Sequence, residues 1–411
     1  MSQHFDALET RSADERESAL AIRLPQQIAH AKANTAYFAG SLKNVDAAAI
    51  TAVAALAALP VVRKSDLIEL QKQQRPFGGL AAAQWGRLGR VFSSPGPIYE
   101  PEGRGADYWR TARALFAAGF RAGDLVHNSF SYHMTPGAWI LEAGAQALGC
   151  TVFPAGVGQT EQQVAAMADL QPNGYVGTPS FLRILLEKAD ELGIKLPSLT
   201  KALVSGEAFL PPVRDALLAR GIAGYQAYAT AELGVIAYET EARQGLVIDE
   251  GVIVEIVRPG TGDPVATGEV GEVVVTTFNP DYPLIRFGTG DLSAFLPGIS
   301  PCGRTNMRIK GWMGRADQTT KIKGMFVHPE QVAAVVKRHP EVVKARLVVT
   351  NPDSSDLMTL NCEVAAPGSE LGKSIAETVR DVTKLRAEVA LVAVGSLPND
   401  GKVISDDRKY D

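Results

Sequence analysis

The sequence predicts an α/β protein with a large N-terminal domain and a small α/β C-terminal domain. Between residues 105 and 230, short apolar runs alternate with amphipathic segments, which is typical of parallel sheets covered by helices. Short β-type runs separated by glycine turns follow at residues 245–310 and predict an antiparallel β subdomain. At 411 residues the chain is too long for one ordinary core, so we place the domains at residues 1–314 and 315–411.

Residues 1–90 are predicted to be mainly helical, with turns at Pro60 and near Gly78. Residues 1–18 are polar and acidic and contain no apolar signal core. The alanine-rich segment Ala47–Val62 is too short to cross the ~30 Å of a bilayer interior. We therefore expect it to form a helix packed on the protein, and we expect no membrane partner.

The alternating region predicts five helices, each followed by a short strand. Ligands bind beyond the carboxyl ends of such strands, so we expect the site in loops 131–136, 155–160, 177–180, 205–208 and 229–234. The predicted elements are Tyr108–Gly119, Leu125–Phe130, Ala138–Leu148, Thr151–Pro154, Gln162–Leu170, Tyr175–Gly177, Phe181–Leu192, Ala202–Val204, Pro212–Arg220 and Tyr225–Tyr228.

Further elements are predicted after residue 245. The β subdomain is predicted to contain strands Val252–Val257, Glu272–Phe278 and Leu284–Phe287. The C-terminal domain is predicted to contain helix Pro329–Arg338, strands Arg346–Thr350 and Leu357–Val364, helix Ser374–Leu385 and a final strand Val389–Val394.

Charge and cysteine content argue against several classes of protein. The formal net charge is -4 and no segment is strongly basic, so we expect no nucleic-acid partner. The cysteines Cys150, Cys302 and Cys362 are widely spaced and form no CxxC pair. This spacing argues against a disulfide scaffold and a zinc site, and it favours a cytoplasmic protein.

The segment Tyr228-Ala229-Thr230-Ala231-Glu232 follows a predicted strand. An aromatic face, a hydroxyl and a carboxylate at a strand end could stack a base, contact a phosphate and hold Mg²⁺, which prefers oxygen ligands. A capped helix start explains Thr230 and Glu232 equally well.

The segment Arg286–Leu292 places Asp291 in a predicted glycine-rich turn after a β run. A carboxylate at this position could accept both hydroxyls of a ribose. An ordinary Thr-Gly-Asp turn is the alternative.

Two C-terminal segments carry possible mechanistic residues. Segment 314–324 is densely charged and flanked by glycines, and it is either a hinge or a solvated linker. In segment 397–405, the Lys402 ammonium could stabilise a carboxylate–phosphate transition state. An exposed terminal lysine is the alternative.

In this order, the motifs resemble those of the acyl- and aryl-CoA synthetase, luciferase and peptide-synthetase adenylation superfamily. Within it, the chain resembles the phenylacetate–CoA ligase family from about residue 25 to 405. That family joins a carboxylic acid to ATP, giving an acyl-adenylate and pyrophosphate, and coenzyme A then displaces AMP. Further segments that carry the resemblance are Leu59–Leu67, Gly123–Asn128, Gly158–Glu161, Thr178–Ser180 and Gly268–Glu272.

The resemblance implies ATP, coenzyme A and Mg²⁺ as ligands and a role for each motif. It places the adenine against Ser205, Gly206 and Glu207 and beside Tyr228 and Ala229. It places the α-phosphate near Thr230 and Mg²⁺ on Glu232. It also places the ribose on Asp291, and Arg315 near the ribose and phosphate side. It also implies a mobile C-terminal domain with a hinge at Asp317, an adenylation lysine at Lys402, and a coenzyme A tunnel bordered by Lys323 and Gly324.

The acid is expected among the loops that follow the middle strands. His133 could contact its carboxylate, although a partly buried structural histidine is the alternative. Aromatic and small residues in these loops favour a flat ring, and therefore an aromatic or arylacetic acid. The candidates are Tyr132, His133, Gly137, Ala155, Gly156 and Pro179, with Phe181 nearby.

One departure from the family concerns segment Phe92–Glu100. The family has a flexible Ser/Thr/Gly-rich loop here, ending in Gly-Lys-Pro, which holds the β- and γ-phosphates. Ser93 and Ser94 remain, but the lysine is absent and Glu100 would oppose a phosphate. A lost charge-assisted hydrogen bond of about 1.5–3 kcal/mol, roughly 10- to 100-fold, would weaken ATP use without preventing it.

Two other departures affect metal and substrate. Cys302 lacks the Cys or His partners with which some relatives bind zinc, so we expect no zinc. Segment 131–136 replaces a run richer in glycine and tyrosine, so the acid need not be phenylacetate.

Two alternatives to a CoA ligase stay open on the sequence. One is an adenylating enzyme that loads a carrier-protein thiol. The other is a catalytically weakened protein that binds a nucleotide or an acyl-CoA. By analogy with the family, we also expect a homodimer.

Overall fold

The structure is a computed structural model that describes residues 3–316, 318, 320–322, 325–351 and 356–408. The chain divides into two compact units. Unit 1 comprises Met1–Val254, Val275–Thr289 and Leu296–Trp312, and unit 2 comprises Glu255–Val274, Gly290–Phe295 and Met313–Asp411.

The first helix begins with a capping box. At the first helix, the Ser12 hydroxyl accepts from the Glu15 amide at 3.1 Å, and the Glu15 carboxylate accepts from the Ser12 amide at 2.7 Å. No helix of the described residues is long and apolar enough to cross a membrane. The α-helices are α1 (Ala13–Asn34), α2 (Ala36–Ser41), α3 (Leu67–Gln73), α4 (Thr111–Ala117), α5 (Gly137–Ala147), α6 (Thr160–Leu170), α7 (Pro179–Glu191), α8 (Pro211–Ala219), α9 (Pro329–Arg338) and α10 (Ser369–Thr383).

The strands are short, as expected from the apolar runs that encode them. They are β1 (Val62–Arg63), β2 (Leu88–Ser94), β3 (Ile98–Gly103), β4 (Leu125–Asn128), β5 (Thr151–Pro154), β6 (Gly174–Gly177), β7 (Lys201–Val204), β8 (Ala223–Thr230), β9 (Gly234–Tyr238), β10 (Leu246–Ile248), β11 (Val252–Val257), β12 (Gly271–Thr277), β13 (Phe287–Ser293), β14 (Phe295–Leu296), β15 (Arg308–Ile309), β16 (Thr320–Ile322), β17 (Met325–Val327), β18 (Val342–Thr350), β19 (Leu357–Val364), β20 (Glu388–Val392) and β21 (Ile404–Asp406).

The largest sheet of the described residues has the strand order β14-β15-β10-β9-β8-β7-β6-β4-β5. Strands β4 to β8 are parallel, which confirms the predicted helix-covered parallel sheet. Strands β9, β10 and β15 extend it by antiparallel pairing from β8. The carboxyl ends of the parallel strands therefore share one edge, which positions the loops that follow them.

Two apolar clusters of unit 1 include residues from the helices and strands of this region. One cluster includes Leu115 of α4, Ile140 of α5 and Val126 of β4. The other includes Leu182 of α7 and Leu217 of α8. Removing such faces from water is the main favourable term that holds helices on a sheet.

In two segments the observed elements differ from the sequence-based expectation. Segment Ala47–Val62 forms 3-10 turns at Ala47–Ala49 and Val53–Ala58 instead of one helix, and most of its alanines are exposed. The strand expected at Leu284–Phe287 instead begins at Phe287 and runs to Ser293, and its first two residues pair in parallel with β1. This pairing is long-range, so local composition does not reveal it.

Unit 2 contains a sheet with the order β20-β19-β18-β21. Its last strand, β21, pairs in parallel with β18, so Val389–Val394 was wrongly expected to be the final strand. The apolar core includes Val335 of α9, Val379 of α10 and Leu360 of β19.

A second small sheet has the order β1-β13-β12-β11. Strand β1 is parallel to β13, with Val62 opposite Phe287. Because Lys64 directly follows β1, this register fixes where the lysine leaves the sheet.

Candidate active site

The segment in which we expected a phosphate loop forms a β-hairpin. Strands β2 and β3 pair up to Ser94 and Ile98, which leaves a connection of only Pro95, Gly96 and Pro97. Ser93 is half-buried, and its amide donates to the Met134 carbonyl at 2.8 Å. Ser93 and Ser94 are therefore held in a paired strand instead of a flexible loop.

Glu100 lies inside this hairpin and is 0% exposed. Its carboxyl accepts from the Ser94 hydroxyl and, at 3.3 Å, from the Ser94 amide. Burial raises the pKa of Glu100 to about 8; the Ser94 hydroxyl lowers this pKa, and the nearby Glu232 raises it. The expectation that Glu100 opposes a phosphate is wrong, because its carboxyl is turned into the protein and keeps its proton at neutral pH.

Glu232 is also buried, and its partner is Lys64. Lys64 Nζ lies 2.8 Å from Glu232 Oε1, and the Glu232 side chain is 0% exposed while that of Lys64 is 27% exposed. Among the described residues, neither Glu232 oxygen has a partner in hydrogen-bond geometry. The ammonium is therefore the electrostatic compensation that the buried carboxylate requires.

Residues 231–233 form a tight turn between the antiparallel strands β8 and β9. The Thr230 hydroxyl accepts from the Leu233 amide at 3.3 Å inside this turn. The alternative interpretation of this segment as a capped helix start is therefore wrong. Tyr228, on β8, is 9% exposed, and its hydroxyl donates to Thr289 Oγ1 at 3.1 Å.

The Ser205-Gly206-Glu207 segment follows β7 at the same edge of the sheet. The Ser205 hydroxyl donates to the Ala227 carbonyl at 2.8 Å, which ties the ends of β7 and β8 together. Gly206 and Glu207 are exposed, and Glu207 accepts from the Ser180 hydroxyl at 2.8 Å.

Acid-site candidates also lie along this edge, after β4, β5 and β6. The Tyr132 hydroxyl donates to the Glu142 carboxylate at 2.6 Å and accepts from the side-chain amide of Asn128 at 2.9 Å. Burial raises the pKa of Tyr132, and the Glu142 carboxylate raises it further. The Tyr132 ring packs edge-on to Trp139, with centroids 5.1 Å apart.

The remaining acid-site candidates differ in exposure. His133 is exposed, so the alternative of a partly buried structural histidine is wrong. The Gly156 amide donates to the Asn128 carbonyl at 3.0 Å, while Pro179 is buried at the start of α7. Those with intermediate exposure are Tyr132, Gly137, Ala155 and Gly156.

In unit 2, Asp291 and Arg315 form an ion pair, with Arg315 Nη1 3.0 Å from Asp291 Oδ1. Their backbones also form an isolated antiparallel bridge. Asp291 lies within β13 and not in a turn, so the predicted turn is wrong; Gly290 supplies the positive φ of 73° that bends the strand locally.

Lys402 is exposed, and its amide donates to Asp400 Oδ1 at 3.0 Å. Asp400 in turn accepts from Arg346 at 3.0 Å, which fixes the connection that leads to β21. Lys402 lines a cavity of about 610 Å³ within unit 2. The predicted hinge Asp317 and the predicted coenzyme A residues Lys323 and Gly324 lie outside the described residues.

Cys302 is the cysteine that corresponds to the zinc cluster of some relatives. Its Sγ lies 3.0 Å from Ser300 Oγ and 3.4 Å from Arg304 Nη1. Within the ranges that the structure describes, no group of three or more His, Cys, Asp or Glu side chains could hold a metal ion. The expectation of no zinc stays a prediction.

Neither Lys64 nor Thr289 was expected from the sequence to be a site residue. Lys64 lies in the Leu59–Leu67 segment that carried the family resemblance, so a signal was present. Its closeness to Glu232, 168 positions later, arises from the pairing of β1 with β13.

The chain is similar to several known proteins. The family model of the AMP-binding enzymes matches residues 109–279. A phenylacetate–coenzyme A ligase of Aromatoleum evansii is 31% identical over 90% of this chain and 86% of that protein. Another, from Thermus thermophilus, is 34% identical over 77% of this chain and 74% of that protein.

A solved structure of 2-hydroxyisobutyryl-CoA ligase, in complex with 2-HIB-AMP and CoA, aligns with a TM-score of 0.73 and 28% identity. The alignment covers 97% of this chain and 92% of that one. The similarity therefore spans both units and the sheet edge described above. The chain belongs to the phenylacetate–coenzyme A ligase family.

Proposed function

We propose that this protein activates a carboxylic acid with ATP and transfers the acyl group to coenzyme A. A carboxylate oxygen attacks the α-phosphorus, the α–β phosphoanhydride bond breaks, and pyrophosphate leaves. The coenzyme A thiol then attacks the acyl carbon, loses its proton, and AMP leaves with the bonding electron pair.

The observation that carries this proposal is the shared edge of the parallel sheet. Segments 130–137, 155–156, 178–180 and 205–207 follow parallel strands at that edge, and segment 228–232 contains the end of β8 and part of the turn after it. We assign Ser205, Gly206, Glu207, Tyr228 and Ala229 to the adenine and Thr230 to the α-phosphate. Positioning of the two reactants can supply much of the rate acceleration.

Glu232 suits Mg²⁺, because it is a buried carboxylate whose one close cation in the described residues is Lys64, 2.8 Å from Oε1, and neither oxygen has a partner there in hydrogen-bond geometry. A hard cation prefers such oxygen ligands. When bound, the ion would neutralise phosphate charge.

We assign three residues of unit 2 to binding the ribose and to stabilising the negative charge that develops during acid activation. Asp291 would accept the ribose hydroxyls, and Arg315 would contact the ribose and phosphate side. Lys402 is an exposed ammonium suited to the transition state of acid activation. We keep the proposed domains 1–314 and 315–411, with the hinge at Asp317 and coenzyme A at Lys323 and Gly324.

For the acid, we propose an aromatic or arylacetic compound. The edge-on pair of Tyr132 and Trp139 supplies aromatic surface suited to a flat ring. The comparison with a 2-hydroxyisobutyryl-CoA ligase makes a small hydroxy acid a necessary member of any substrate panel.

The test is acid-dependent pyrophosphate release over aryl, arylacetic and small hydroxy acids. Lys402→Ala should lower pyrophosphate release by about 10²–10³-fold, because it removes a charge that acts in the transition state. Transfer from a synthetic acyl-adenylate to coenzyme A should be retained.

The matched control is Lys373→Ala, which changes a lysine of α10 whose side chain is 70% exposed and should leave both rates unchanged. Absence of pyrophosphate release from the wild type with every acid would contradict the proposed function. The comparisons favour neither the carrier-protein alternative nor the non-catalytic one. Cytoplasmic location and a homodimer stay predictions.

A further inference from the structure

The Phe92–Glu100 hairpin has no ammonium of its own. The chain contains no lysine between Lys72 and Lys188. Of the nearby arginines, Arg90 pairs with Glu102 at 2.8 Å and stacks over Trp139. The hairpin therefore supplies no ammonium for the β- and γ-phosphates.

Lys64 is the cation that the fold brings to this place. It pairs with Glu232 at 2.8 Å, and Glu232 lies in the turn that follows Thr230. It is also close enough to Glu100 to act on that carboxyl electrostatically, and Glu100 is bonded to Ser94. One ammonium thus lies near both the end of the hairpin and the turn after β8.

The difference in exposure between the two partners is informative. Glu232 is 0% exposed, whereas 27% of the Lys64 side chain is open to solvent. The lysine side of the pair is therefore the side that faces solvent. Lysine also suits a change of partner, because its three N–H donors lie on a flexible four-carbon stem.

We propose that Lys64 is a catalytic residue that contacts the β- and γ-phosphates of ATP and takes the role of the missing loop lysine. This rests on the proposed function and adds to it a residue from outside the hairpin. Without nucleotide, Lys64 compensates the buried Glu232 carboxylate. With ATP, it stabilises the charge that builds on the β-phosphate oxygen as the α–β bond breaks.

Loss of the Lys64 ammonium should affect the binding of ATP but not that of AMP, because AMP has no β- or γ-phosphate. Lys64→Met should weaken ATP and pyrophosphate binding by about 10- to 100-fold, the range for one charge-assisted hydrogen bond. AMP affinity should stay within about twofold. Lys64→Arg keeps a cation and should retain most of the ATP affinity. Isothermal titration calorimetry with ATP, AMP and pyrophosphate measures all three.

Lys72→Met is the matched control, because Lys72 lies on α3 with its side chain 62% exposed and pairs only with the exposed Glu69 among the described contacts. It should change none of the affinities. If Lys64→Met weakens ATP and AMP equally, or weakens neither, Lys64 has only a structural role and the proposal is overturned.

A second pair of variants covers failure of Lys64→Met to fold, since that variant leaves Glu232 buried and unpaired. Glu232→Gln and the double variant Glu232→Gln/Lys64→Met differ only in the ammonium, and both lack the buried charge. With EDTA present, the double variant should bind ATP about 10- to 100-fold more weakly than Glu232→Gln. Equal ATP affinities would overturn the proposal.

These readouts are independent of turnover. If the wild type binds ATP but forms no adenylate from any acid, the proposed function fails while the role of Lys64 in phosphate binding is still measured. If the wild type turns over and Lys64→Met has unchanged affinities, only the present proposal fails.

Discussion

Burial inside the β2–β3 hairpin changes the protonation of the Glu100 carboxyl. It is 0% exposed and bonded to both the amide and the hydroxyl of Ser94. An isolated buried charge is costly, so the group keeps its proton, with a pKa of about 8. This protonation limits the number of negative charges beside Glu232 at neutral pH.

A pH dependence of stability follows from Glu100. Above about pH 4.5 the unfolded chain loses this proton, whereas the folded protein keeps it up to about pH 8. The contribution of Glu100 to stability therefore falls as the pH rises through that range, by up to about 1.4 kcal/mol per pH unit.

Glu100→Gln should remove this dependence. The free energy of unfolding of the variant minus that of the wild type should increase between pH 5.5 and 7.5, by up to about 3 kcal/mol. Chemical denaturation at the two pH values measures it. Glu69→Gln changes a glutamate whose side chain is 64% exposed and serves as the control. A pH-independent difference for Glu100→Gln would show that the carboxyl ionises normally.

A motif in the sequence indicates which side chains are candidates for a site, but it does not indicate which residues they contact. The sequence indicated Tyr228, Thr230 and Glu232 as candidates, because an aromatic, a hydroxyl and a carboxylate side chain stand close together at the end of a predicted strand. The partners of Tyr228 and Glu232, namely Thr289 and Lys64, come from distant segments. No local spacing reports such pairs.

At the scale of the elements, helices α4 and α5 approach closely because Gly144 has no side chain. A Cβ at Gly144 would lie 2.7 Å from the backbone nitrogen of Ala112, which cannot rotate away. The hydroxyl of Thr111 donates to the Ile140 carbonyl at 2.8 Å across the same interface. The glycine thus sets the distance between the two helices.

Gly144→Ala should destabilise the protein by about 1–3 kcal/mol, the range for overpacking a close interface. Denaturant unfolding monitored by circular dichroism measures the change.

The matched control is Gly40→Ala in α2, where an added Cβ meets nothing within 4 Å. Because alanine has the higher helix propensity, the control should be neutral or stabilising by up to about 1 kcal/mol. An unchanged stability for Gly144→Ala would mean that the helices separate at little cost.

Most elements of the alternating region were predictable within a few residues. Thr151–Pro154 was predicted with its observed bounds, and Phe181–Leu192 differs by two residues or fewer at each end from α7. Apolar periodicity is a local property, and here it agrees with the fold. Strand β13 was misplaced because its pairing with β1 joins segments about 225 residues apart.

At the scale of the whole molecule, the C-terminal region has an apolar core of its own. The buried residues of this core all come from positions 322–404. Ala316, in contrast, packs with Val270 and Leu292, which precede the region in sequence. A separate core is what allows a segment to fold by itself.

The fragment 315–411 should therefore fold alone. We expect mixed α/β circular dichroism and a cooperative unfolding transition. Val379→Asp, at a position 2% exposed, should abolish that transition, because it buries an unpaired charge. Val394→Asp, at a position 54% exposed, should preserve it. A fragment that is unfolded at 25 °C would contradict the proposed boundary at residues 314–315.

The sequence by itself determined the α/β class, the parallel sheet and the family, because periodicity and motif order are properties of neighbouring residues. It also supplied the residues that we propose for nucleotide binding. The tertiary structure decided which charges meet: it buried Glu100, closed segment 92–100 into a hairpin and brought Lys64 to Glu232. These contacts depend on long-range strand pairing and on the low polarity of the interior, and neither is a property of the local sequence.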